Sequence, residues 1–415
     1  MNIEEFPSEL IIVQALNLDL ATINKLCSTS KRFNDVICES QNFWHQKFVL
    51  DYKLDPKLYT GSWKQLYLEY RRSVWGFGEN ADGQLGLEDN NRSIPTLMPN
   101  SKAKQVSAGP SHTVLIDLED NVMVFGKNQY GQLGLGDYTE RLIPTLIPNI
   151  KAKQVSAGTN HIVLIDLENN VCVFGKNGCS QLGLGDYNDR SIPTLLPNIK
   201  AKQVSAGRDH TVLIDLQNNV FVFGDNDYGQ LGLDDNNDRS TPTLIPNIKA
   251  QQVSAGEFYT VLIDLQNDVW VFGRNGCGQL GVGDLNDRYI PTLIENIKAE
   301  KISAGGYHTI MIDLQKNVLV FGDNECGQLG LGDNNYRLIP TLLPNIKARK
   351  VSAGKAHTII IDLEDNVWSF GNNDTGQLGL GDIDDRSIPT VIQNIKAEQI
   401  SAGGFHTILI GTYIQ

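Results

Sequence analysis

Six of the seven histidines occupy one position of a repeated sequence, and histidine is the side chain most often used as a metal ligand or proton carrier near neutral pH. These residues are His112, His161, His210, His308, His357 and His406, and Tyr259 stands at the remaining copy. Copies of one repeat position are spread around a repeat architecture, whereas zinc needs its nitrogen ligands about 2.0–2.1 Å away. We therefore predict no metal site and no cofactor, and we expect each ring to satisfy backbone groups of its own loop.

Aspartate and arginine also recur once per copy, at Asp89, Asp137, Asp186, Asp235, Asp284, Asp333 and Asp382 and at Arg92, Arg141, Arg190, Arg239, Arg288, Arg337 and Arg386. A sevenfold recurrence is typical of a scaffold, so we expect each pair to hold its loop or to link neighbouring units. The glycine-rich stretches lack the Lys-Ser/Thr ending of a phosphate loop. No nucleophile–base pair stands outside the repeat. We predict no catalytic residue and no enzymatic activity.

The elements that position these residues follow from the repeat itself. Ser-Ala-Gly recurs every 49 residues, beginning at Ser107 and ending at Ser401. A fixed period of this size indicates a repeat architecture. One unit contains three strand-like runs at 151–157, 161–167 and 171–175, and a short fourth at 192–197 whose two prolines favour an outer edge strand. Four short strands per unit predict a blade of a β-propeller, and so a mainly β fold.

The two ends of the repeat region each hold part of a unit. The region begins in mid-unit at residues 74–78 and stops in mid-unit after residues 406–410. Pairing the two parts completes a seventh blade and leaves no open sheet edge between the ends. The sequence therefore predicts a seven-bladed β-propeller over residues 74–415, closed by pairing of its N- and C-terminal parts.

The repeat resembles the regulator of chromosome condensation repeat family. The likeness lies in Ser-Ala-Gly-x-x-His-Thr, in the Phe-Gly that ends a strand, and in Asn-x-x-Gly-Gln-Leu-Gly-Leu-Gly-Asp, and it covers residues 74–410. The resemblance implies a seven-bladed propeller. The founding member of the family binds chromatin, but here residues 74–415 carry 39 acidic and 26 basic side chains. Nucleic-acid binding normally needs the opposite charge, so no nucleic-acid partner is expected.

The front of the chain predicts a small all-α domain at residues 1–50 and a helical linker at 51–73. Residues 4–48 resemble an F-box, in which Phe6 replaces the usual leucine, and the matching residues are Phe6-Pro7, Glu9-Leu10, Asp19-Leu20, Cys27, Lys31-Arg32-Phe33 and Trp44. The resemblance implies docking on a Skp-type adaptor of a cullin–RING ligase through Pro7, Leu10, Ile11, Leu16, Leu20 and Leu26. The alternative for each of these residues is a place in the core of the domain itself.

Specificity in a repeat protein is expected where the copies differ. The two residues before the repeat histidine vary most between copies, and aromatic and arginine side chains collect there. Such side chains are the usual anchors of protein interfaces. We predict a partner-binding patch, with ordinary surface variation as the alternative, formed by Arg208, Phe258, Tyr259, Tyr307 and Phe405.

Together these features predict a non-enzymatic substrate-recognition adaptor of a Skp–cullin–F-box ubiquitin ligase, whose propeller binds a protein substrate. The alternatives are guanine-nucleotide exchange on a small GTPase, which the family's founder performs, and a pure interaction scaffold. Free thiols and the lack of a signal peptide favour a reducing compartment, the cytoplasm or alternatively the nucleus. No apolar run approaches the roughly 20 residues that span a bilayer, so no membrane partner is expected.

Overall fold

The computed structural model of this chain describes residues 8–18, 20–52, 60–70, 72–88 and 90–413. The chain divides into two compact units, with the helices in the first and the repeat strands in the second. Among the described residues, no helix is long and apolar enough to cross a membrane.

The first unit is a small helical domain with its own core. Its elements are α1 Ser8–Leu16, α2 Leu20–Thr29, α3 Lys31–Phe33, a π-helical turn Asn34–Cys38, α4 Gln41–Tyr52 and α5 Trp63–Tyr70. The hydroxyl of Ser30 accepts a hydrogen bond from the Phe33 amide at 3.1 Å, which caps α3. Trp44 is fully buried, and its indole Nε1 donates to the Cys38 carbonyl at 3.1 Å.

Two features of this unit differ from expectation. Helix α4 crosses the predicted boundary at residue 50, and Tyr67 of α5 packs in one core with Trp44, so the predicted linker contributes to the domain. The expectation of free thiols is wrong for two of the six cysteines, because Cys27 and Cys38 form a disulfide with Cα atoms 6.3 Å apart. The end of α2 and the π-helical turn bring these two sulfurs together. The free cysteines are Cys172, Cys179, Cys277 and Cys326.

Six of the seven blades of the second unit contain an antiparallel hairpin. These hairpins are β4 His112–Ile116 with β5 Asn121–Gly126, β7 His161–Asp166 with β8 Asn170–Gly175, β10 His210–Asp215 with β11 Asn219–Gly224, β13 Tyr259–Asp264 with β14 Asp268–Gly273, β16 His308–Asp313 with β17 Asn317–Gly322, and β19 His357–Asp362 with β20 Asn366–Gly371. The hairpin turns are closed by an aspartate. In the second blade, Asp166 Oδ1 accepts from the amides of Glu168 and Asn170, both at 2.8 Å.

The outer strand of one blade continues into the inner strand of the next, so the predicted first and fourth strands are parts of one 17-residue strand. These strands are β6 Arg141–Ala157, β9 Arg190–Ala206, β12 Arg239–Ala255, β15 Arg288–Ala304, β18 Arg337–Ala353 and β21 Arg386–Ala402, and β2 Arg92–Lys102 and β3 Gln105–Ala108 take these places at the start. In β9, Leu195 pairs with Cys172 of the preceding blade, whereas Val204 pairs with Leu213 of the following blade.

The two ends of the repeat region meet, as the sequence predicts. Strand β1 Ser73–Gly78 pairs with β22 His406–Tyr413, and the Glu79 amide donates to the Phe405 carbonyl at 2.8 Å. The Ala108 amide also donates to the Ser401 hydroxyl at 2.9 Å, which joins the first complete blade to the last. The seventh blade is therefore made from both ends of the repeat region.

Apolar side chains fill the spaces between neighbouring blades. Val163 and Val173 of the second blade pack in one cluster with Leu213 and Phe223 of the third. The phenylalanine of each Phe-Gly pair is fully buried. Gly183 has φ +67° and a Cβ there would lie 2.7 Å from the Phe223 ring, so only glycine fits at that contact.

Candidate functional site

Five side chains from three neighbouring blades form one cluster of aromatic rings and guanidinium groups. We name this cluster the aromatic–arginine patch, and it consists of Arg208, Tyr228, Phe258, Arg274 and Tyr307. The Phe258 ring centroid lies 5.2 Å from that of Tyr228 and 6.3 Å from that of Tyr307. These separations are within the range of attractive aromatic pairs.

The two arginines lie against the aromatic rings. Arg274 Cζ is 5.0 Å from the Tyr228 centroid, 5.5 Å from Phe258 and 5.3 Å from Tyr307. Arg208 Cζ is 4.7 Å from the Phe258 centroid. A guanidinium within about 6 Å of a ring centroid is attracted by the negative face of the ring. The rings therefore hold both guanidinium groups in place and reduce the number of rotamers that binding would have to freeze.

Two kinds of loop supply these residues. Arg208, Phe258 and Tyr307 lie in the short loops between the inner strand of a blade and the hairpin, whereas Tyr228 and Arg274 follow the last strand of a hairpin. The Arg274 amide donates to the Phe258 carbonyl at 3.0 Å, and this backbone bond sets the two loops side by side.

The patch is cationic at its surface and anchored beneath. The Arg208 side chain is 47% exposed, and its Nε lies 3.5 Å from Asp209 Oδ2. Asp209 is largely buried, and its Oδ1 accepts from Lys176 Nζ at 3.0 Å and from Gln181 Nε2 at 2.8 Å. Burial raises the pKa of Tyr307, and the nearby Glu257 carboxylate raises it further. Its hydroxyl therefore stays protonated and can donate a hydrogen bond.

The structure brings together three of the five residues predicted for a partner-binding patch. Arg208, Phe258 and Tyr307 are in the cluster, although Phe258 is only 9% exposed and serves mainly as its base. Phe405 lies elsewhere, against Lys355, whose Nζ is 5.1 Å from the ring centroid. The prediction for Tyr259 is wrong, because its side chain is fully buried and cannot touch a partner.

Sequence reasoning missed Tyr228 and Arg274. Tyr228 occupies a loop position that holds tyrosine, cysteine, threonine or aspartate in the other copies, which indicates that the position tolerates different residues. Arg274 follows a Phe-Gly pair, where other copies have Glu79, Lys127, Lys176, Asp225, Asp323 or Asn372. The variation of the residue after Phe-Gly could have pointed to Arg274. Only the fold shows that this position lies beside the variable pair that precedes the repeat histidine.

The repeated histidines are structural, but they bond to the next blade and not to their own loops as expected. The Nε2 atom lies 2.9–3.1 Å from a threonine hydroxyl of the next blade in the pairs His161–Thr211, His210–Thr260, His308–Thr358, His357–Thr407 and His406–Thr113. Thr211 donates its one proton to the Gln181 carbonyl at 2.8 Å. The His161 Nε2 must therefore donate to Thr211, which fixes a neutral tautomer.

Two contacts between neighbouring blades depart from this histidine–threonine pattern. At residue 162 an isoleucine replaces the threonine, and neither ring nitrogen of His112 has a hydrogen-bond partner among the described residues. Between the fourth and fifth blades, Tyr259 replaces histidine and its hydroxyl donates to the His308 carbonyl at 2.6 Å. Burial lowers the pKa of His112 to about 4 and that of His161 to about 3, so these rings are neutral.

The aspartate–arginine pairs hold their own loops, one of the two roles predicted for them. In the six described pairs, Arg Nη2 lies 2.5–2.7 Å from Asp Oδ2 four residues earlier, as in Arg190 and Asp186. Asp89 lies outside the described residues. In the other loops the arginine lowers the pKa of the carboxyl group, as for Asp186.

One group of carboxylates stands close enough to be considered for a metal ion in the part of the chain that the structure describes. Asp225, Asp227 and Asp238 place oxygen atoms within 4.8 Å of one another. Burial raises the pKa of Asp225 to about 6. Asp238 accepts from the Asn226 amide at 2.9 Å and Asp225 from the Asp227 amide at 3.2 Å, so both already serve their loop. The absence of a metal site stays a prediction.

Some of the residues expected to contact a Skp-type adaptor lie outside the described part of the chain, and the others lie in or against the core of the helical unit. Pro7 and the side chains of Leu10 and Leu20 lie outside the described residues. Ile11 is 3% exposed in the core of the helical unit, and Leu16 and Leu26 pack against that core. The alternative that these three residues form the domain's own core therefore fits their burial. On the same unit, the side chain of Val13 in α1 is 59% exposed.

The comparison with known families decides the membership of the chain. The Regulator of chromosome condensation (RCC1) repeat matches seven consecutive segments, at residues 73–116, 119–165, 168–214, 217–263, 266–312, 317–361 and 364–410. The chain belongs to the RCC1 repeat family. The match spans the propeller, and the helical unit lies before it.

Curated relatives resemble the RCC1 repeats over short stretches. The Protein RCC2 homolog of Xenopus laevis is 29% identical over 140 residues, which is 32% of this chain and 27% of that protein. The human Probable E3 ubiquitin-protein ligase HERC4 is 38% identical over 66 residues, or 15% of this chain and 6% of that protein. The chain thus aligns with about a quarter or less of the length of these two relatives.

Solved structures share the RCC1 fold. Yeast RCC1 (Prp20), solved bound to Kap60, has a TM-score of 0.75 at 22% identity, with 84% of this chain and 91% of that chain covered. Human WBSCR16 has a TM-score of 0.75 at 20% identity, with 83% and 99% covered. At these identities the likeness is one of fold.

Proposed function

We propose that this chain is a non-enzymatic recognition protein whose propeller binds a protein partner through the aromatic–arginine patch. The observation that carries the proposal is the stacking of Arg274 on three aromatic rings beside the half-exposed Arg208. Pre-arranged arginine and aromatic side chains lose little conformational freedom on binding and are typical interface anchors. Relatives agree with a binding role, since yeast RCC1 (Prp20) was solved bound to Kap60.

The chemistry of the patch indicates what the partner offers there. Two guanidinium groups favour carboxylates, which they bind with paired hydrogen bonds. The aromatic rings around Arg274 favour an apolar or aromatic side chain beside the carboxylate. The partner segment is therefore expected to combine acidic and apolar residues. Because the propeller as a whole is acidic, a cationic patch also restricts where such a segment can bind.

Affinity purification with quantitative mass spectrometry tests this proposal in the full-length chain. The double variant Phe258→Ala with Arg274→Gln removes the base and one cation of the patch. Its matched control is Phe405→Ala with Lys355→Gln, which removes an aromatic–cation pair elsewhere on the propeller. We expect partner recovery to fall about tenfold or more with the first variant and little with the control. Equal recovery with both variants would refute the patch.

We further propose that the helical unit is an F-box that docks on a Skp-type adaptor, which would make the chain a substrate-recognition subunit of a cullin–RING ubiquitin ligase. Support comes from the sequence resemblance and from a helical core that leaves Val13 exposed on α1. An exposed apolar side chain on a helix suits docking on a helical adaptor. The proposed location is the cytoplasm or the nucleus, and no step of chemistry is assigned to the chain.

Co-purification with a Skp-type adaptor tests the F-box proposal. Val13→Asp places a charge at the exposed apolar position, and Gln14→Asp places the same charge on the next residue, which is already exposed and polar. We expect the adaptor to be lost with Val13→Asp and retained with Gln14→Asp. If wild-type protein recovers no adaptor while its propeller partner is still recovered, the chain is an interaction scaffold outside the ligase.

Nucleotide exchange on a small GTPase remains the alternative from the family resemblance. The repeat units differ in length by at most one residue, so no blade has an inserted wedge of the kind that exchange is expected to need. A nucleotide-release assay with the purified GTPase and the full chain distinguishes this activity from simple binding.

A further inference from the structure

A cavity of about 680 Å³ lies where the inner strands of the blades begin, and all of its lining comes from the equivalent residues of successive blades. We name it the lysine–glutamine cavity. Its lining residues are Lys104, Gln105, Lys153, Gln154, Lys202, Gln203, Gln251, Gln252, Lys301 and Gln399. Four of these ten residues are lysines and none is acidic, although the chain has a net charge of −13. This concentration of positive charge is opposite to the balance of the propeller.

The glutamines serve the propeller. Gln154 Nε2 donates to the Val204 carbonyl of the next blade at 3.3 Å, and Gln105, Gln203 and Gln252 make the equivalent contact at 3.2–3.4 Å. Gln399 Nε2 donates instead to the Lys104 carbonyl at 3.1 Å. Lys301 stands where these copies have glutamine. No described residue forms a hydrogen bond or ion pair with its ammonium group. The fifth blade thus exchanges a structural amide for a cation at the cavity.

Three further ammonium groups are fixed at the rim. Lys153 donates to the Asn169 side chain and Lys202 to the Asn218 side chain, and both acceptors are neutral, so neither charge is compensated there. Lys104 is paired with Asp120. Each ammonium has three donors, so those of Lys153 and Lys202 retain donors for a ligand.

Neighbouring positions in the fifth and sixth blades add charges of both signs. Arg349 is paired with Asp365 at 2.7 Å, and Glu300 with Lys316 at 2.6 Å. Lys350 lies in the next blade at the position equivalent to Lys301. Burial, with smaller contributions from nearby Arg349 and Lys301, lowers the pKa of Lys350 to about 8, whereas Glu398 opposes this effect. A ligand anion would relieve this repulsion.

We propose that the lysine–glutamine cavity binds a small multivalent anion with several phosphate groups. The lining offers compact point charges and no carboxylate, which suits phosphate oxygens. The cavity volume is large enough for several phosphate groups, and the ring of donors surrounds it from several blades. This site is separate from the aromatic–arginine patch, so it stands or fails independently of the proposed function.

Isothermal titration calorimetry of the full chain with inorganic tripolyphosphate tests the site. The cavity variant is Lys153→Gln with Lys202→Gln and Lys301→Gln, and the chain itself has Gln251 and Gln252 at the equivalent positions, so the fold should tolerate it. The control variant is Lys151→Gln with Lys200→Gln and Lys249→Gln. These exposed lysines donate to the carbonyls of Glu119, Glu168 and Gln217, and the change in net charge is the same.

We expect saturable binding by the wild type that weakens with salt. The cavity variant should lose about a hundredfold or more in affinity, since each charged hydrogen bond is worth about tenfold, and the control less than about threefold. Melting temperatures verify that both variants are folded. No binding by the folded wild type, or an equal loss in the control, would overturn the proposal. So would tight binding of an oligoglutamate peptide without binding of tripolyphosphate.

Discussion

In six of the seven copies, the threonine that follows the repeat histidine position joins two blades through a single hydroxyl. Thr211 is fully buried and connects His161 of the preceding blade with the Gln181 carbonyl. The sequence shows the recurrence of both residues but not the bond, because its partners are 30 and 50 residues away. A motif read in one unit therefore suggests a local role, whereas the role lies between units.

Thr211→Val keeps the shape of the side chain and removes both hydrogen bonds. It leaves the His161 Nε2 and the Gln181 carbonyl unpaired in a dry interior, so we expect a loss of about 1–3 kcal/mol in the free energy of unfolding. Urea denaturation measures this loss. The control is Thr194→Val, whose hydroxyl donates to the exposed Ile192 carbonyl and to no other described residue, and it should change the free energy of unfolding by about 0.5 kcal/mol or less. Equal effects from the two variants would contradict the role assigned to Thr211.

The buried histidines make stability depend on pH. Their pKa values in the folded state are about 3 to about 4, because burial disfavours the charged ring, whereas an unfolded histidine has a pKa of about 6.5. As pH falls below about 6.5, the histidines bind protons in the unfolded state but not in the folded state. The free energy of unfolding therefore decreases until the pH reaches the pKa values of the folded state. Each histidine contributes up to about 1.4 kcal/mol per pH unit.

We therefore expect the urea midpoint to fall clearly between pH 7.5 and pH 5. Carboxylates whose pKa is lowered in the fold, such as Asp186, lose their contribution only nearer pH 4. Asp225, whose pKa burial raises to about 6, adds stability as pH falls and so opposes the six histidines, whose summed effect is larger. A midpoint that is unchanged or higher at pH 5 would contradict the burial of neutral rings.

At the scale of elements, the sequence predicts the hairpins well and the long strands poorly. Alternating apolar residues and an aspartate turn define each hairpin locally. The two prolines of residues 190–206 suggest that a strand ends, yet the chain continues into the next blade. The continuation depends on Asn198, which has φ +60° and redirects the strand. Asparagine tolerates this left-handed conformation better than most other side chains. The sequence therefore shows no glycine at the point where the strand passes from one blade to the next.

Asn198→Ala tests this redirection. A β-carbon without the polar group of asparagine makes the left-handed conformation cost about 1–2 kcal/mol, whereas glycine adopts it freely. We expect Asn198→Ala to lower the free energy of unfolding by about that amount. Asn198→Gly should stay within about 0.5 kcal/mol of the wild type. Similar values for both variants would show that the positive φ is not needed there.

At the scale of the whole propeller, pairing of β1 with β22 was predictable from the two incomplete units at its ends. The composition of the aromatic–arginine patch was only partly predictable. Arg208, Phe258 and Tyr307 share a variable repeat position, but Arg274 joins them through a backbone bond to Phe258 in another loop. Repeat spacing shows which positions are equivalent, and it does not show which loops touch.

The patch as a binding surface is tested most directly by photo-crosslinking. A benzoylphenylalanine in place of Arg208, which is 47% exposed, would lie at the edge of the patch. We expect a crosslink to a partner protein from position 208 that disappears when Arg274→Gln is added. Crosslinks that form only from position 405, or that persist unchanged with Arg274→Gln, would contradict this expectation.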